Sequence, residues 1–303
     1  MSAQLPSGFE TGRPAGRLPA AAPAEAGALL VQVEDRMRDL VAYHPGSAAQ
    51  EAALSHLQAG GGRFRARLAI DAGLALRLEP RRILAIAAAV ELVHNASLIH
   101  DDLQDRDPQR RQAAAVWAEF GDAVAVCAGD LMLSAAYAAL ADTGAAAPRL
   151  ISRLHRRVSA LIHGQDADLA SGRDVSDLEA YEAIATGKSG ALLVLPLEFA
   201  LELAEATGAL AVAAACGRSF ALGYQMFDDL RDVEGDRAKA ALNAVLVLEA
   251  RGLSAPELEV ARLAARHFRH AAALSARLPS DCGRLLAATA QRLSAQLPHK
   301  DLS

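Results

Sequence analysis

Twice along the chain an apolar helical run ends in the same acidic cluster. Ala96-Ser97-Leu98-Ile99 leads into His100-Asp101-Asp102-Leu103-Gln104-Asp105, and Ala221-Leu222-Gly223-Tyr224-Gln225-Met226-Phe227 leads into Asp228-Asp229-Leu230-Arg231-Asp232. On a helix, residues four apart share a face, so Asp101 and Asp105 project together with Asp102 beside them, and Asp228, Asp229 and Asp232 repeat the pattern. Carboxylates held that close repel one another, and partial burial raises the cost unless a proton or a cation neutralises them. Hard divalent cations with oxygen ligands relieve the repulsion, and Mg2+ in particular joins one or two carboxylates to the phosphates of a substrate. A single cluster of this kind is ordinarily a solvated surface face. Two matching copies at the ends of apolar helices point instead to a built site, and two acidic clusters with metal between them suit a diphosphate.

The remaining pattern is helical. Leu29, Leu30, Val33, Met37, Leu40 and Val41 place one apolar stripe on one helix face, and alternating strand patterns are absent over useful lengths. Helix punctuation recurs at Gly60-Gly61-Gly62, Glu79-Pro80, Asp107-Pro108, Ala147-Pro148, Gly172, Gly187, Gly208 and Leu278-Pro279. The intervals leave segments of roughly 15 to 25 residues, long enough for a bundle around a central apolar cavity. The composition agrees: 52% of residues are hydrophobic but only 4% aromatic, so the apolar share lies in Ala and Leu, which favour helices. Residues 1–25, rich in Pro, Gly and Ala, read as a mobile leader, and residues 26–303 as one all-α domain with no mid-chain linker.

Charge and cysteine usage exclude several functions. A formal net charge of −5 gives no basic face for nucleic acid. Cys127, Cys216 and Cys282 are too few and too far apart for a zinc site or a disulfide scaffold, and read as buried apolar fillers. The N-terminal residues lack the basic start and apolar run of a secretory signal, and no stretch of about 18 uninterrupted apolar residues occurs. The expectation is a soluble, cytoplasmic protein without a membrane span.

Cations accompany the acids. Arg110 and Arg111 follow the first cluster, and guanidinium forks match phosphate oxygens bidentately. Lys188 adds a point charge in Thr186-Gly187-Lys188-Ser189; a nucleotide-binding P-loop is excluded there, because Glu182 occupies the required glycine position.

These residues, in this order, resemble the trans-isoprenyl diphosphate synthase (polyprenyl synthetase) family, which includes bacterial farnesyl and geranylgeranyl diphosphate synthases. The resemblance rests on Asp101 to Arg111 and Gln225 to Asp232. Smaller matches lie at Phe120-Gly121, Gly129-Asp130, Gly164-Gln165 with Asp168, and Lys188-Ser189, where the family has Lys-Thr. It implies a single-domain isoprenoid-synthase-type helix bundle, a homodimer, and Mg2+ as a trinuclear set with the bound diphosphate. By the same resemblance Asp101, Asp105 and Asp228 are metal ligands with Asp102 and Asp232 close by, while Asp101, Asp102, Asp105, Asp228, Asp229 and Lys188 carry the catalysis. Arg110, Lys188, Ser189 and Gln225 hold an allylic diphosphate; Arg63, Arg65, His94 and Arg111 hold isopentenyl diphosphate. The implied reaction is metal-assisted ionisation and condensation to a longer trans-prenyl diphosphate, with small Ala96 and Ser97 favouring geranylgeranyl over farnesyl length.

Three departures bear on that reading. Gly62 stands where the family has a phosphate-binding lysine, Gln112 to Ala115 replaces Gly-x-Pro-Thr, and the stretch Val233 to Asn243 is short, with Lys239 as its lysine. The alternatives are a terpene cyclase or diphosphate lyase on the same fold, which Gly62 favours but Arg65, His94 and Arg111 oppose, and a non-catalytic partner subunit, which has no reason to keep two intact clusters.

Overall fold

A computed structural model describes residues 23–171, 177–239 and 241–298, apart from the side chains of residues 23, 168, 170, 171, 188 and 189. The first helix, α1 (Pro23–Val41), already includes Pro23 to Glu25, so the fold starts a turn before the expected boundary, and the rest of the expected leader lies outside the described residues. It is followed by α2 (Ala48–Gln58), α3 (Phe64–Ala75) and α4 (Pro80–Asp105). A short ribbon of β1 (Gln109–Arg110) and β2 (Ala113–Ala114) precedes α5 (Val116–Phe120), α6 (Asp122–Ala141) and α7 (Ala147–Ser171). The chain continues through α8 (Leu178–Ala185), α9 (Ala191–Leu203), α10 (Leu210–Lys239), α11 (Ala244–Ala250), α12 (Pro256–Ser275) and α13 (Arg284–Ser294). The described chain is thus all-α but for that ribbon.

Local chemistry sets many of the ends. Pro80 and Pro256 open α4 and α12 at the first helical position, where a missing N–H costs nothing. Asp177 caps α8 by accepting from the Ala180 amide at 2.8 Å, and Asn243 caps α11 through the Val245 amide at 2.9 Å.

Every residue of α9 is buried, as its sequence Ala-Leu-Leu-Val-Leu-Pro-Leu-Glu-Phe-Ala-Leu-Glu-Leu predicts for a helix apolar on all sides. Helices α3, α4, α7 and α10 pack around it. Its two acids are neutralised from α7: Arg157 Nε donates to Glu198 at 2.8 Å, and Arg153 lies 3.2 Å from Glu198 and also pairs with Glu202. Gly187 does not end a helix. The chain instead widens into a π turn at Thr186–Gly190 and runs directly into α9, a geometry common at functional sites. A Cβ on Gly187 would stand 3.2 Å from Gly164 Cα, so glycine lets this turn lie against the backbone of α7. The helix stop expected at Gly172 lies outside the described residues.

Two further expectations change. Cys216 and Cys282 are buried as expected, but Cys127 is exposed on α6. Helices α4 and α6 are each long and apolar enough to cross a membrane by length and composition, yet α4 is largely buried against its neighbours and serves as a core helix of the bundle.

Candidate functional site

The first acidic cluster occupies the last turn of α4, where the negative end of the helix dipole already favours a cation. Asp101 is half-buried and Asp105 exposed, whereas Asp102 turns inward with its side chain only 1% exposed. Arg110 seals that inward position: its Nε donates to Asp102 Oδ1 at 2.8 Å and its Nη2 makes a still closer contact. Burial nevertheless raises the Asp102 pKa, outweighing the Arg110 bond and charge that pull it down. Asp102 Oδ2 remains buried without a hydrogen-bond partner.

Beyond Asp105 the chain turns through Arg106, which is left-handed at φ 55° and lies over Trp117 with its guanidinium carbon 5.2 Å from the ring centroid. Trp117 Nε1 donates to the Asp107 carbonyl at 2.8 Å, anchoring the segment. The ribbon turn then places two non-glycine residues, Arg111 and Gln112, at φ 53° and 68°. Such strain persists where surrounding contacts demand it. Here it separates the two arginines: Arg110 reaches Asp102, while Arg111 reaches the carbonyl of Gly60.

The second cluster lies on α10. Asp228 is half-buried, and burial followed by the charge of Asp232 raises its pKa. Asp232 is exposed. Asp229, expected to act in catalysis, is instead 2% exposed and saturated: Tyr181 Oη and the Ala244 amide each donate to Oδ2 at 2.7 Å, and Gln225 Nε2 donates to Oδ1 at 2.9 Å. Burial lifts it to about 6 despite those donors. Asp229 therefore ties α8, α10 and α11 together, and Gln225, expected on a diphosphate, commits one amide hydrogen to that knot. Lys239, at the end of α10, donates to Asp107 Oδ1 at 2.6 Å, so the segments trailing the two clusters meet at one end of the bundle.

A basic pocket adjoins. Arg63 begins α3 in a left-handed conformation at φ 47°, with Nε on Glu34 at 2.9 Å and Nη2 on the Leu57 carbonyl at 2.8 Å. Its Nη1 and the Nε of Arg65 are buried without partners. Burial lowers the pKa of Arg65 and of Arg111, and neighbouring arginines add to the effect. Burial likewise holds His94 well below the ordinary imidazole range, reinforced by Arg65 and Arg111. Buried cations gathered this closely are suited to an anion. The structure thus brings Arg63, Arg65, His94 and Arg111 together, and a Cβ on Gly62 would meet open space.

Sequence reasoning missed the groups that organise this pocket. His56 bonds to Asn95 Oδ1 at 3.2 Å and is pushed down to about 4 by burial and then by Arg111. Glu91 accepts from the Ala66 amide at 2.9 Å beside Arg65 and Arg111. These groups come from three helices and the ribbon, His56 from α2, Arg63 and Arg65 from the start of α3, Glu91, His94 and Asn95 from α4 and Arg111 from the ribbon turn, and only folding assembles them.

A cavity of about 320 Å3, with Asp101 in its lining, lies between α4, α6 and α7. Val93, Ala96 and Ser97 of α4 face Leu133, Val158 and Leu161 across it. Lys188 and Ser189 lie in the π turn, but their side chains fall outside the described residues.

Whether Mg2+ fits can be judged from the donors. Asp101, Asp105, Asp228 and Asp232 offer hard oxygens on two helices, and burial together with the neighbouring Asp232 charge disfavours a bare carboxylate at Asp228. No three acidic or imidazole side chains among the described residues close on one point. The fit is therefore that of Mg2+ completed by phosphate oxygens and water, rather than an all-protein cage.

Fold and site together define an all-α protein with acidic clusters on two helices, an arginine-histidine pocket, and an apolar cavity bordered by Asp101 of the first cluster. The polyprenyl synthetase family model matches residues 47–247, and the chain belongs to that family. A (2E,6E)-farnesyl diphosphate synthase of Mycobacterium bovis is 39% identical over 211 residues, covering 67% of this chain and 57% of that relative. A geranylgeranyl diphosphate synthase of Methanosarcina mazei is 35% identical over 191 residues, covering 58% of this chain and 56% of the relative. The chain thus spans a little over half the length of the curated relatives it matches.

Solved structures show the same fold. A geranylgeranyl pyrophosphate synthetase from Geoglobus acetivorans superposes with a TM-score of 0.79 at 23% identity, covering 89% of this chain and 99% of the other. A polyprenyl synthase from Caulobacter crescentus, complexed with calcium and isoprenyl diphosphate, gives 0.81 at 21% identity over 91% and 97%.

Proposed function

We propose that the chain is a trans-prenyltransferase, condensing an allylic diphosphate with isopentenyl diphosphate to give a longer trans-prenyl diphosphate. The observation that supports this reading is that one chain carries an acidic cluster bordering an apolar cavity at Asp101 and, next to Arg110, a pocket that gathers buried arginines and His94. At the first, Asp101, Asp105 and Asp228, with Asp232 alongside, would hold Mg2+ and with it the allylic diphosphate; Arg110, Lys188, Ser189 and Gln225 belong to the same site. When bound, Mg2+ neutralises the diphosphate and makes it a better leaving group. At the second site Arg65, His94 and Arg111 would hold isopentenyl diphosphate, with Arg63 braced behind them by Glu34.

The residues divide the remaining work. Asp102 holds Arg110 toward the first site, and Asp229 fixes the turn of α10 that carries Asp228. Apolar walls from α4, α6 and α7 keep water from the allylic cation. Farnesyl and geranylgeranyl diphosphate synthases among the relatives support elongation, and small Ala96 and Ser97 favour the longer product. A homodimer belongs to the same reading: the outward face of α6 carries Ala123, Val126, Cys127 and Ala138 beside Asp130 and Ser134, with Val126 45% exposed, a face of mostly small side chains open to a second copy. A cytoplasmic setting completes it.

The test is product analysis with Mg2+, labelled isopentenyl diphosphate and, separately, dimethylallyl, geranyl or farnesyl diphosphate. The proposal requires labelled, elongated diphosphate. A hydrocarbon or alcohol formed from the allylic substrate alone, with no label incorporated, replaces it by the cyclase or lyase reading.

A further inference from the structure

Between α8, α11 and α12 lies another cavity, of about 620 Å3, which shares no lining residue with the one at Asp101 or with the arginine-histidine pocket. Its form follows from how α11 ends. Gly252 is left-handed at φ 80°, its amide donates to the Glu249 carbonyl at 2.8 Å, and the Leu253 amide donates to the Leu248 carbonyl at 3.2 Å. In a helix end of this kind the residue after the glycine packs on the last helical turn, which sets Leu253 beside Leu248. Both leucines line the cavity together with Leu263 of α12. Leu248 and Leu263 are only 7% and 8% exposed and form its base, whereas Leu253 keeps 43% of its surface open at the rim.

Charge at that rim is unbalanced. Arg251 and Arg262 both border the cavity, against a single acid, Glu259. Glu259 lies 3.8 Å from Arg262, and Glu249 is held by Arg237 at 2.8 Å, so neither serves Arg251. No other carboxylate among the described residues stands within ion-pair distance of Arg251, which is exposed. The cavity therefore joins an apolar base to a surplus positive charge. Inorganic phosphate would match the charge and leave the leucines uncovered; a neutral hydrocarbon would do the reverse.

We infer that this cavity binds a single-chain amphiphilic anion, its hydrocarbon tail on Leu248, Leu253 and Leu263 and its terminal phosphate or carboxylate on Arg251 and Arg262. Guanidinium forks pair with either head group, and a tail of about eight to ten carbons suits a cavity of this size. The site is independent of the proposed reaction and needs no Mg2+.

The experiment is calorimetric titration of the full chain, in phosphate-free buffer with a chelator, using octyl phosphate, octanoate and octanol. Wild type is expected to bind at least one of the two anions, and octanol at least about tenfold more weakly. Tighter octyl phosphate assigns the site to phosphorylated alcohols, tighter octanoate to fatty acids. Arg251→Ala, at an exposed position without an ion pair, should weaken the preferred anion about tenfold with the melting temperature unchanged. Leu253→Asn, also exposed, should weaken the anion and octanol alike, and Arg111→Ala should leave the anion's affinity as it is. The inference is overturned if neither anion binds, if octanol binds as tightly as the anions, or if Arg251→Ala and Leu253→Asn leave affinity unchanged. It is equally overturned if Arg111→Ala abolishes binding, because the anion then occupies the arginine-histidine pocket instead.

Discussion

Acidification should destabilise the ligand-free protein through His56, and the structure sets the size of the effect. Burial, then Arg111, pushes its pKa from 6.5 to about 4. The folded-state value lies below the unfolded one, so between those limits the unfolded chain takes up a proton that the folded chain refuses. Stability is complete above the unfolded pKa and is lost as pH falls toward the folded one. At ~1.4 kcal/mol per pKa unit the full loss is about 3 kcal/mol, of which about 2 kcal/mol is reached by pH 5. His94 shifts in the same direction and adds to it. Asp229, raised to about 6, works against it, because the folded chain protonates that carboxyl first. The decisive quantity is accordingly a difference: urea unfolding of wild type and His56→Gln at pH 7 and pH 5, the glutamine keeping a donor for Asn95 without titrating. Wild type should lose about 2 kcal/mol more than the variant over that interval, and isopentenyl diphosphate should restore much of it by supplying the missing negative charge. Identical pH dependence in the two proteins would refute the claim that His56 is held neutral in a cationic pocket.

Three other outcomes follow from the geometry. Gly187→Ala pushes a methyl group to within 3.2 Å of Gly164 Cα, so it should cost about 1–3 kcal/mol in chemical denaturation and impair turnover by displacing the π turn that carries Lys188. Ala96→Phe fills the cavity wall next to Ser97 and should shorten the longest product by at least one isoprene unit in chromatographic analysis, with stability little changed. Asp101→Asn and Asp102→Asn should separate by assay: the first abolishes stabilisation by Mg2+ with pyrophosphate while leaving the unliganded melting temperature in place, whereas the second lowers that melting temperature because Arg110 loses its buried carboxylate.

Much of this architecture was legible before folding. Apolar helical spacing and the Pro80 start signal gave the long core helix α4, and the repeated acidic spacing gave both clusters. The division of labour within each cluster was not legible. Residue i+1 sits about 100° around the helix from residue i, and only tertiary packing decides whether that direction is core or mouth. Folding turned Asp102 and Asp229 inward and left Asp101, Asp105, Asp228 and Asp232 partly or fully open to solvent. Glycine at 187 read as a stop because a sequence carries no sign that another backbone, Gly164, will lie against it. His56, Glu91 and Asn95 escaped notice for a related reason, since their importance comes from neighbours on other elements. Cys127 was expected inside on composition alone; α6 turns it outward with its apolar neighbours.

The proposed reaction requires one chain to hold two diphosphates by different means, one through acidic residues and Mg2+, the other through arginines and histidine. Equilibrium binding of an unreactive allylic thiolodiphosphate and of isopentenyl diphosphate, each with Mg2+ and with a chelator, tests it directly. Simultaneous binding of both is expected, with the allylic analogue released by the chelator and isopentenyl diphosphate retained. Mutual displacement of the two, or loss of both on chelation, would contradict it.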